Sequence, residues 1–355
     1  GATSGSTPSG SGNTTVGYNS MNMLTSGSYN LTLGVQAGHS VTTSSYNSYL
    51  GYQAGYYNET GSHNTAIGGK ALFGASGGSH DSNTAVGYEA LKVMTTGTLN
   101  IGIGKGAGIA ITQGSRNVSV GSLSMNSATT AVSNVAIGNS ALYYNVSGSS
   151  NVAIGRDSMF GESGQSNDNN TAVGYQSMFP ITTGNNNVGV GYQSLRAITS
   201  GSQNTGIGTQ ANYSVTTGVV NTSVGNGASF YNQTGNYNTA IGGSAMGGAS
   251  GNSHDNNTAV GYKSLNAITT GGSNVALGAD SLNANTDGTG NVAIGKGALF
   301  GGNRSGDIAI GQQAMYQAPT GGLNYAIGRY ALMDANAGTD SLSSTHNIAI
   351  GQSAL

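Results

Sequence analysis

The chain has 355 residues, of which 62 are glycine, none is cysteine and only 6% are charged, and its formal net charge is −2. The lack of cysteine excludes disulfides and cysteine metal sites, and the near-neutral balance provides no basic field for nucleic acid. No apolar run approaches the ~20 residues of a membrane-spanning helix, so we expect no membrane span in this segment.

Residues 1–12 are rich in Gly and Ser, which predicts a flexible lead-in. From residue 13 to residue 355 one pattern recurs twenty times: Asn (Asp307 in one repeat), a residue that is mostly Thr, Val or Ile, a small residue, an aliphatic residue and Gly. Most repeats begin 17 residues after the previous one, and three repeats are 19 residues long. Because the chain starts at Gly1 and stops within a repeat, we expect it to be a fragment of a longer protein.

Each repeat is numbered here from its Asn, which places the aliphatic residue at position 4 and Gly at position 5. Apolar residues at positions 2 and 4 flank a small residue, and this alternation is typical of a β-strand. Gly at position 5 permits a positive φ at a corner, and small or aliphatic residues return at positions 8, 9 and 12. We therefore predict an all-β fold, a parallel β-roll or β-solenoid of about twenty coils with positions 4, 9 and 12 in its core.

Stacking of the coils leads to further expectations. Asn at position 1 is expected to hydrogen-bond from coil to coil as a ladder, and coils spaced by ~4.8 Å predict a rod roughly 95 Å long. Position 3, between two core-facing positions, is expected to point outward. It carries small side chains there, as in Ala66, Ala85, Gly102 and Ser119. Small residues let another chain approach closely, which predicts a homo-oligomer.

The segments NVAIGNSAL (134–142), NVAIGRDSM (151–159) and NIAIGQSAL (347–355) resemble the head repeats of YadA-like trimeric autotransporter adhesins. Similar repeats occur in phage tail-fibre proteins. The resemblance covers residues 13–355, although the coils of this chain are longer than those of the family. It implies a left-handed parallel β-roll, a trimer around a threefold axis, and a location outside a cell, on the cell surface or on a virion.

A longer period overlies the coils. The three 19-residue repeats begin at Asn64, Asn151 and Asn238, so five coils make a super-repeat of 87 residues. Each long repeat carries an extra loop, and the coil before it carries an aromatic pair, which we expect to lie beside that loop. The loops and pairs are either a repeated receptor or glycan contact or passive products of duplication. The candidate ligand contacts are Tyr56, Tyr57, His80, Asp81, Tyr143, Tyr144, Asp168, Phe230, Tyr231, His254 and Asp255.

The sequence offers little for catalysis. No acid pair with a partnering base falls on adjacent coils, and neither a phosphate loop nor a repeated calcium nonapeptide is present. His80–Asp81 and His254–Asp255 occupy equivalent places, but Asn167–Asp168 between them lacks the imidazole, which favours a polar loop tip over a metal site. We expect no enzyme, no cofactor and no metal.

The function that fits best is a structural fibre or adhesin head, a rigid rod that presents receptor- or glycan-binding surfaces outside a cell or on a virion. Its partners are then other copies of the chain, as a trimer, and a host-surface receptor or glycan. Two other classes stay open. One is a self-assembling extracellular filament or sheath subunit, and the other is a carbohydrate-processing β-solenoid enzyme.

Overall fold

The computed structural model of the chain describes residues 9–317, 322–333 and 345–354. These residues form short strands joined by turns, and they include no helix long and apolar enough to cross a membrane. The chain divides into two compact units, Gly1–Gln176 with Pro180–Thr183 and Ser177–Phe179 with Gly184–Leu355. Of the predicted lead-in, residues 1–8 lie outside the described residues, while the backbone N–H of Ser9 donates to the carbonyl of Thr25 at 2.8 Å.

The first unit contains ten strands of three residues each, and each strand begins at position 2 of a repeat. They are β1 (Thr14–Val16), β2 (Leu31–Leu33), β3 (Ser48–Leu50), β4 (Thr65–Ile67), β5 (Thr84–Val86), β6 (Ile101–Ile103), β7 (Val118–Val120), β8 (Val135–Ile137), β9 (Val152–Ile154) and β10 (Thr171–Val173). Each strand pairs in parallel with the next one along the chain.

The second unit repeats this arrangement. Its strands are β11 (Val188–Val190), β12 (Thr205–Ile207), β13 (Thr222–Val224), β14 (Thr239–Ile241), β15 (Thr258–Val260), β16 (Val275–Leu277), β17 (Val292–Ile294), β18 (Ile308–Ile310), β19 (Tyr325–Ile327) and β20 (Ile348–Ile350). These strands also pair in parallel in chain order. The fold is therefore a parallel β-solenoid of about 18 turns, most of them 17 residues long, as the repeat predicted.

The register keeps equal positions together. Thr65, Ala66 and Ile67 lie opposite Thr84, Ala85 and Val86. The backbone N–H of Thr65 donates to the Asn83 carbonyl at 2.9 Å. Because each coil repeats these bonds, any side chain at one position lies beside the same position of the next coil, about 4.8 Å away.

The structure corrects the sequence-based assignment of position 3. This residue points into the solenoid and is fully buried, as at Ala66, Ala85 and Ala153. Position 4, assigned to the core, lies on the outer face, where Ile67 and Ile154 are 40% and 36% exposed. The expectation that position 3 faces a partner chain is therefore wrong.

The physical reason is the narrow interior. A Cβ added to Gly102 at position 3 would lie 2.7 Å from the Cγ of Leu91, so only small residues fit opposite position 9. The exception confirms this constraint. Tyr49 at position 3 is 1% exposed, and its ring occupies the space left by Gly38 and Gly55, which stand at position 9 in place of a larger residue.

Positions 9 and 12 are in the core, as predicted. Leu91 and Leu142 at position 9 and Ile111, Ile181 and Ile198 at position 12 are fully buried. Together with the small residues of positions 3 and 8 they make a continuous apolar interior within each unit. Each coil can bury these side chains only against its neighbours, so the coils depend on stacking for stability.

Position 5 is the corner that the sequence predicted. All twenty of its glycines, from Gly17 to Gly351, have a positive φ between 126° and 142°. A Cβ on Gly104 would lie 2.8 Å from the carbonyl carbon and oxygen of Gly121 in the next coil. The corner therefore requires glycine both for its backbone conformation and for the close approach of the next coil.

Candidate functional site

The aromatic pairs lie beside the following loops, which confirms the expectation from the super-repeat. The rings of Tyr56 and Phe73, at position 10 of successive coils, stack with centroids 5.2 Å apart. Tyr57 meets both rings edge-on at 4.5 and 5.2 Å. The loop of this super-repeat spans residues 73–83. A Cβ on Gly74, its second residue, would lie 3.3 Å from the Cβ of Tyr57. The pair therefore packs directly against the loop.

The middle super-repeat has the same arrangement. Tyr143 and Phe160 stack at 4.9 Å, and Tyr144 meets both rings edge-on at 4.6 and 5.2 Å. In both super-repeats one face of the tyrosine at position 10 is covered by the phenyl ring of the next coil. These four tyrosines are half-buried, so they close the edge of the solenoid while leaving part of each ring at the surface.

The third super-repeat differs. Phe230 stacks on Tyr213 of the preceding coil at 4.7 Å, and Tyr231 meets Phe230 edge-on at 4.6 Å. The next position 10 is Gly247, where the other super-repeats have Phe73 and Phe160. A cleft of about 320 Å³ opens there, lined by Gln210, Asn226, Gly227, Phe230, Tyr231, Ser244, Gly247, Gly248 and Asn266.

The two loop histidines do not lie at the surface, contrary to the interpretation of a polar loop tip. His80 and His254 are 0% and 1% exposed. Burial lowers the pKa of each imidazole to about 4, so both rings are neutral at pH 7. Neither ring nitrogen of His80 has a hydrogen-bond partner among the described residues. Both histidines are therefore parts of the interior. The sequence analysis named them as candidate ligand contacts, but in this structure they are not accessible to a ligand at the surface.

The neighbouring aspartates bind the preceding coil. The Oδ1 atoms of Asp81, Asp168 and Asp255 accept hydrogen bonds from the backbone N–H groups of Ser62, Ser149 and Asn236 at 2.5, 2.6 and 2.6 Å. Each bond closes a 19-residue coil at the same place, which gives the repeated Asp a structural role. Across the described parts of the chain, no cluster of three or more His, Asp or Glu side chains could hold a metal ion.

The outer face of the strands is the largest feature that the sequence reasoning missed. Position 4 is Ile, Leu or Val in every strand, and no strand carries a charged residue. Exposed examples at position 4 are Leu50 (43%), Ile103 (41%), Ile137 (39%), Ile241 (40%) and Leu277 (46%). A hollow of about 280 Å³ lies on this face at β2 to β4, lined mainly by Leu31, Leu33, Leu50 and Ile67. We call the exposed side of positions 2 and 4 the apolar face.

The signals for both missed features were present in the sequence. Positions 2 and 4 alternate strictly with position 3, so they had to share one face, and only the choice of face was wrong. The cleft coincides with a difference between the super-repeats, Gly247 in place of Phe73 and Phe160.

Comparison with known proteins adds no relative: no protein-family model, no curated protein and no solved structure matches this chain.

Proposed function

We propose that the chain is a structural fibre protein or adhesin head, whose copies associate through the apolar face and present binding surfaces outside a cell or on a virion. The observation that carries this proposal is the row of exposed aliphatic residues at position 4. Sheets that face water on one side normally carry polar residues there. Here Ile67, Ile103 and Ile137 stand 39 to 41% exposed on strands of the same unit.

The size of the apolar face supports an interface. Ten strands spaced by ~4.8 Å and three residues long give a face of roughly 480 Å² in each unit. Position 2 is Thr or Ser in five of the ten strands of the first unit, so the continuous apolar part of this face is the row of position-4 side chains. Exposed apolar surface that is continuous in this way commonly marks interaction sites. An interface of standard size takes about 800 Å² from each partner, and the face of one unit provides more than half of that area.

The geometry favours another solenoid as the occupant over an extended peptide or a membrane. Adding a peptide strand needs an open sheet edge, whereas inner strands such as β5 are paired on both sides. Proteins that lie on membranes carry basic residues beside the apolar surface, but this chain has only 10 Lys and Arg residues. A second copy offers a matching row of branched side chains at the same ~4.8 Å spacing.

Three copies are the number that the resemblance to YadA-like heads implies, and we adopt it in this proposal. The strands that bear Ala66 and Ala85 then lie nearest the axis, as the sequence predicted. The side chains in contact are those of positions 2 and 4, because position 3 is buried within each chain. A host-surface receptor or glycan is the partner of the remaining surface, and no catalytic step is part of the proposal.

The experiment replaces two neighbouring residues of the apolar face, Ile137→Asp with Ile154→Asp. We expect the mass in solution, measured by light scattering after size-exclusion chromatography, to fall from three chains to one, because charged residues would be desolvated in the contact. The matched control is Val93→Asp at position 11, where Val93 is 37% exposed away from the strands, and it should keep the wild-type mass.

A third variant separates assembly from folding. Ala153→Asp places a carboxylate in the interior, next to Ile154 on the same strand, and should prevent folding, since an unpaired buried charge costs several kcal/mol. A wild-type mass for the Ile137→Asp/Ile154→Asp variant would contradict the proposed interface. A monomeric wild-type chain would contradict the assembly and leave the solenoid unaffected.

A further inference from the structure

The cleft at Gly247 lies where the first two super-repeats carry a phenyl ring, and the Nδ2 of Asn266 reaches beside it, 2.5 Å from the place that a Cβ of residue 247 would take. In the first two super-repeats, Phe73 and Phe160 stack on Tyr56 and Tyr143 with centroids 5.2 and 4.9 Å apart. Gly247 has no side chain with which to cover Phe230 in this way. One face of Phe230 is stacked on Tyr213, and the same ring also lines the cleft.

A second glycine enlarges the cleft. Position 7 has a positive φ throughout the chain and carries Gln210, with φ 55°, in the coil before the cleft. In the next coil this position is Gly227, with φ 60°, and its nearest neighbour for an added Cβ is the Ser244 hydroxyl at 4.0 Å. Glycine is not required by space here, because a larger residue would fit. Its effect is to leave the floor of the cleft open beside Phe230.

The groups that line the cleft indicate the ligand's chemistry. Amide side chains of Gln210, Asn226 and Asn266 and the hydroxyl of Ser244 line it, and none of its nine lining residues is charged. The Nδ2 of Asn266 donates to the Ser244 carbonyl at 2.8 Å, and an amide group has further donor and acceptor capacity beyond one bond. The ligand should therefore be neutral, with a flat ring face that can pack on Phe230 and with many hydroxyl groups.

We propose that this cleft binds one hexopyranose ring of a neutral glycan. The C–H face of the sugar lies on the open side of Phe230 in the place of the missing phenyl ring, with Tyr231 at its edge. Its hydroxyl groups exchange hydrogen bonds with the amides of Asn226 and Asn266. An aromatic side chain from another protein would fill the ring position, but it would leave these amides without partners, which costs free energy in a closed contact.

This inference rests on the proposed function, since it names the ligand class for a binding surface of the fibre. A single sugar ring makes few contacts, so we expect a dissociation constant of roughly 1 mM. Several copies in one assembly would then raise the apparent affinity for a surface that carries many glycans.

Saturation-transfer NMR on the full chain tests the inference with methyl glycosides of glucose, galactose, mannose and N-acetylglucosamine as probes. At least one glycoside should receive saturation from the wild-type protein. Gly247→Phe copies Phe73 and Phe160 and should fill the ring position, and Gly227→Gln copies Gln210 and should fill the floor. Each variant should weaken binding at least about tenfold.

Gly106→Gln is the matched control. Gly106 stands at position 7 with φ 62° in the first unit, and the same replacement there should leave sugar binding unchanged. In Gly247→Phe the new Cβ would lie 2.5 Å from the Nδ2 of Asn266, so this variant can displace Asn266. Gly227→Gln tests the cleft without that clash, because the nearest atom to its new Cβ is 4.0 Å away. Melting temperatures near that of the wild type establish that the variants are folded.

The inference is overturned if no glycoside binds the wild-type protein at about 50 mM, well above the expected dissociation constant. It is also overturned if both filled variants bind the glycosides as the wild type does. Binding of p-cresol in the cleft without any glycoside would assign the site to an aromatic side chain instead. Because this assay measures one sugar on one chain, its failure is distinct from failure of assembly, which the mass in solution reports.

Discussion

The Oδ1 atom of Asn64 accepts two hydrogen bonds from Asn83 in the next coil, one from the backbone N–H at 2.9 Å and one from the side-chain Nδ2 at 3.2 Å. The same pair of hydrogen bonds connects Asn83 with Asn100 and Asn100 with Asn117. Stacked buried amides therefore connect successive coils, which confirms the asparagine ladder expected from the repeat.

Replacing one member of this ladder should cost more than removing a surface amide. In Asn100→Ala the backbone N–H of Asn117 and the carbonyl of Gly114 lose their bonds to the Asn100 side chain. Each buried unsatisfied group costs about 1–3 kcal/mol, so we expect a loss of about 3 kcal/mol in the free energy of unfolding by urea. The control Asn139→Ala removes an exposed amide and should change this value by less than about 0.5 kcal/mol. Equal losses would contradict a structural role for the ladder.

The corner glycines should tolerate no side chain. Gly104→Ala places a Cβ 2.8 Å from the backbone of Gly121, at φ 127°, and we expect it to abolish folding or to lower the melting temperature by more than 10 °C, roughly the effect of several kcal/mol. Gly77→Ala provides a comparison, since Gly77 also has a positive φ, 77°, but has no atom within 4 Å of the added Cβ. This control should show only the conformational cost of about 1–2 kcal/mol. Similar melting temperatures for the two variants would be inconsistent with the close approach of the coils.

The sequence predicted the solenoid because twenty repeats in phase leave few other folds open. It did not determine which side of each strand is inside. Alternation places Val152 and Ile154 on one side and Ala153 on the other, and apolar residues normally mark the core. Here the space opposite position 9, where Leu91 stands, accepts only small side chains, so the branched residues face outward. That choice depends on the width of the interior, which is a tertiary property.

The candidate site was predictable in part. The aromatic pairs and loops were placed together correctly because equal positions of neighbouring coils must be adjacent. His80 and His254 were misplaced because polarity predicts exposure, whereas neutral imidazole can be buried at an energetic cost. The cleft at Gly247 depends on how four coils pack around Phe230, and the missing phenyl group was the indication of it that the sequence contained.

The buried histidines predict a loss of stability in acid. Burial lowers the pKa of His80 and His254 to about 4, whereas a histidine in the unfolded chain has a pKa near 6.5. Between these values the unfolded state binds the proton and the folded state does not, so stability falls as the pH is lowered from about 6.5 to about 4. Each histidine contributes roughly 3 kcal/mol to this loss.

The test replaces both histidines by asparagine, the residue that stands at the equivalent position of the middle super-repeat as Asn167. His80→Asn with His254→Asn should reduce the dependence of urea unfolding on pH between 6.5 and 4. His63→Asn, at an exposed residue stacked on Tyr46, is the control and should retain the wild-type dependence. An unchanged pH dependence in the double variant would show that the imidazoles are not held neutral.

The ladder carries one buried ion pair, which should behave as a coupled unit. Asp307 takes the place of Asn, and its carboxylate lies 3.9 Å from the guanidinium of Arg304, both groups being buried. Burial raises the pKa of Asp307, whereas hydrogen bonds from Asn324 and the charge of Arg304 act to lower it. We expect Arg304→Met to lower the free energy of unfolding by about 3–5 kcal/mol at pH 7. Adding Asp307→Asn, which restores the ladder amide, should recover most of this loss, whereas simple addition of the two single effects would contradict the coupling.

The most direct test of the account uses the absence of cysteine from the chain, which makes any introduced thiol unique. Ile154→Cys places a thiol on the apolar face, and Val93→Cys places one on an exposed position away from the strands. Mild oxidation, followed by non-reducing electrophoresis and thiol counting, reports whether copies of residue 154 meet. The account predicts disulfide-linked pairs for Ile154→Cys with one free thiol left per three chains, and almost no cross-linking for Val93→Cys. Ile154→Cys chains that stay unlinked, or that cross-link no more than Val93→Cys chains, would contradict association through the apolar face.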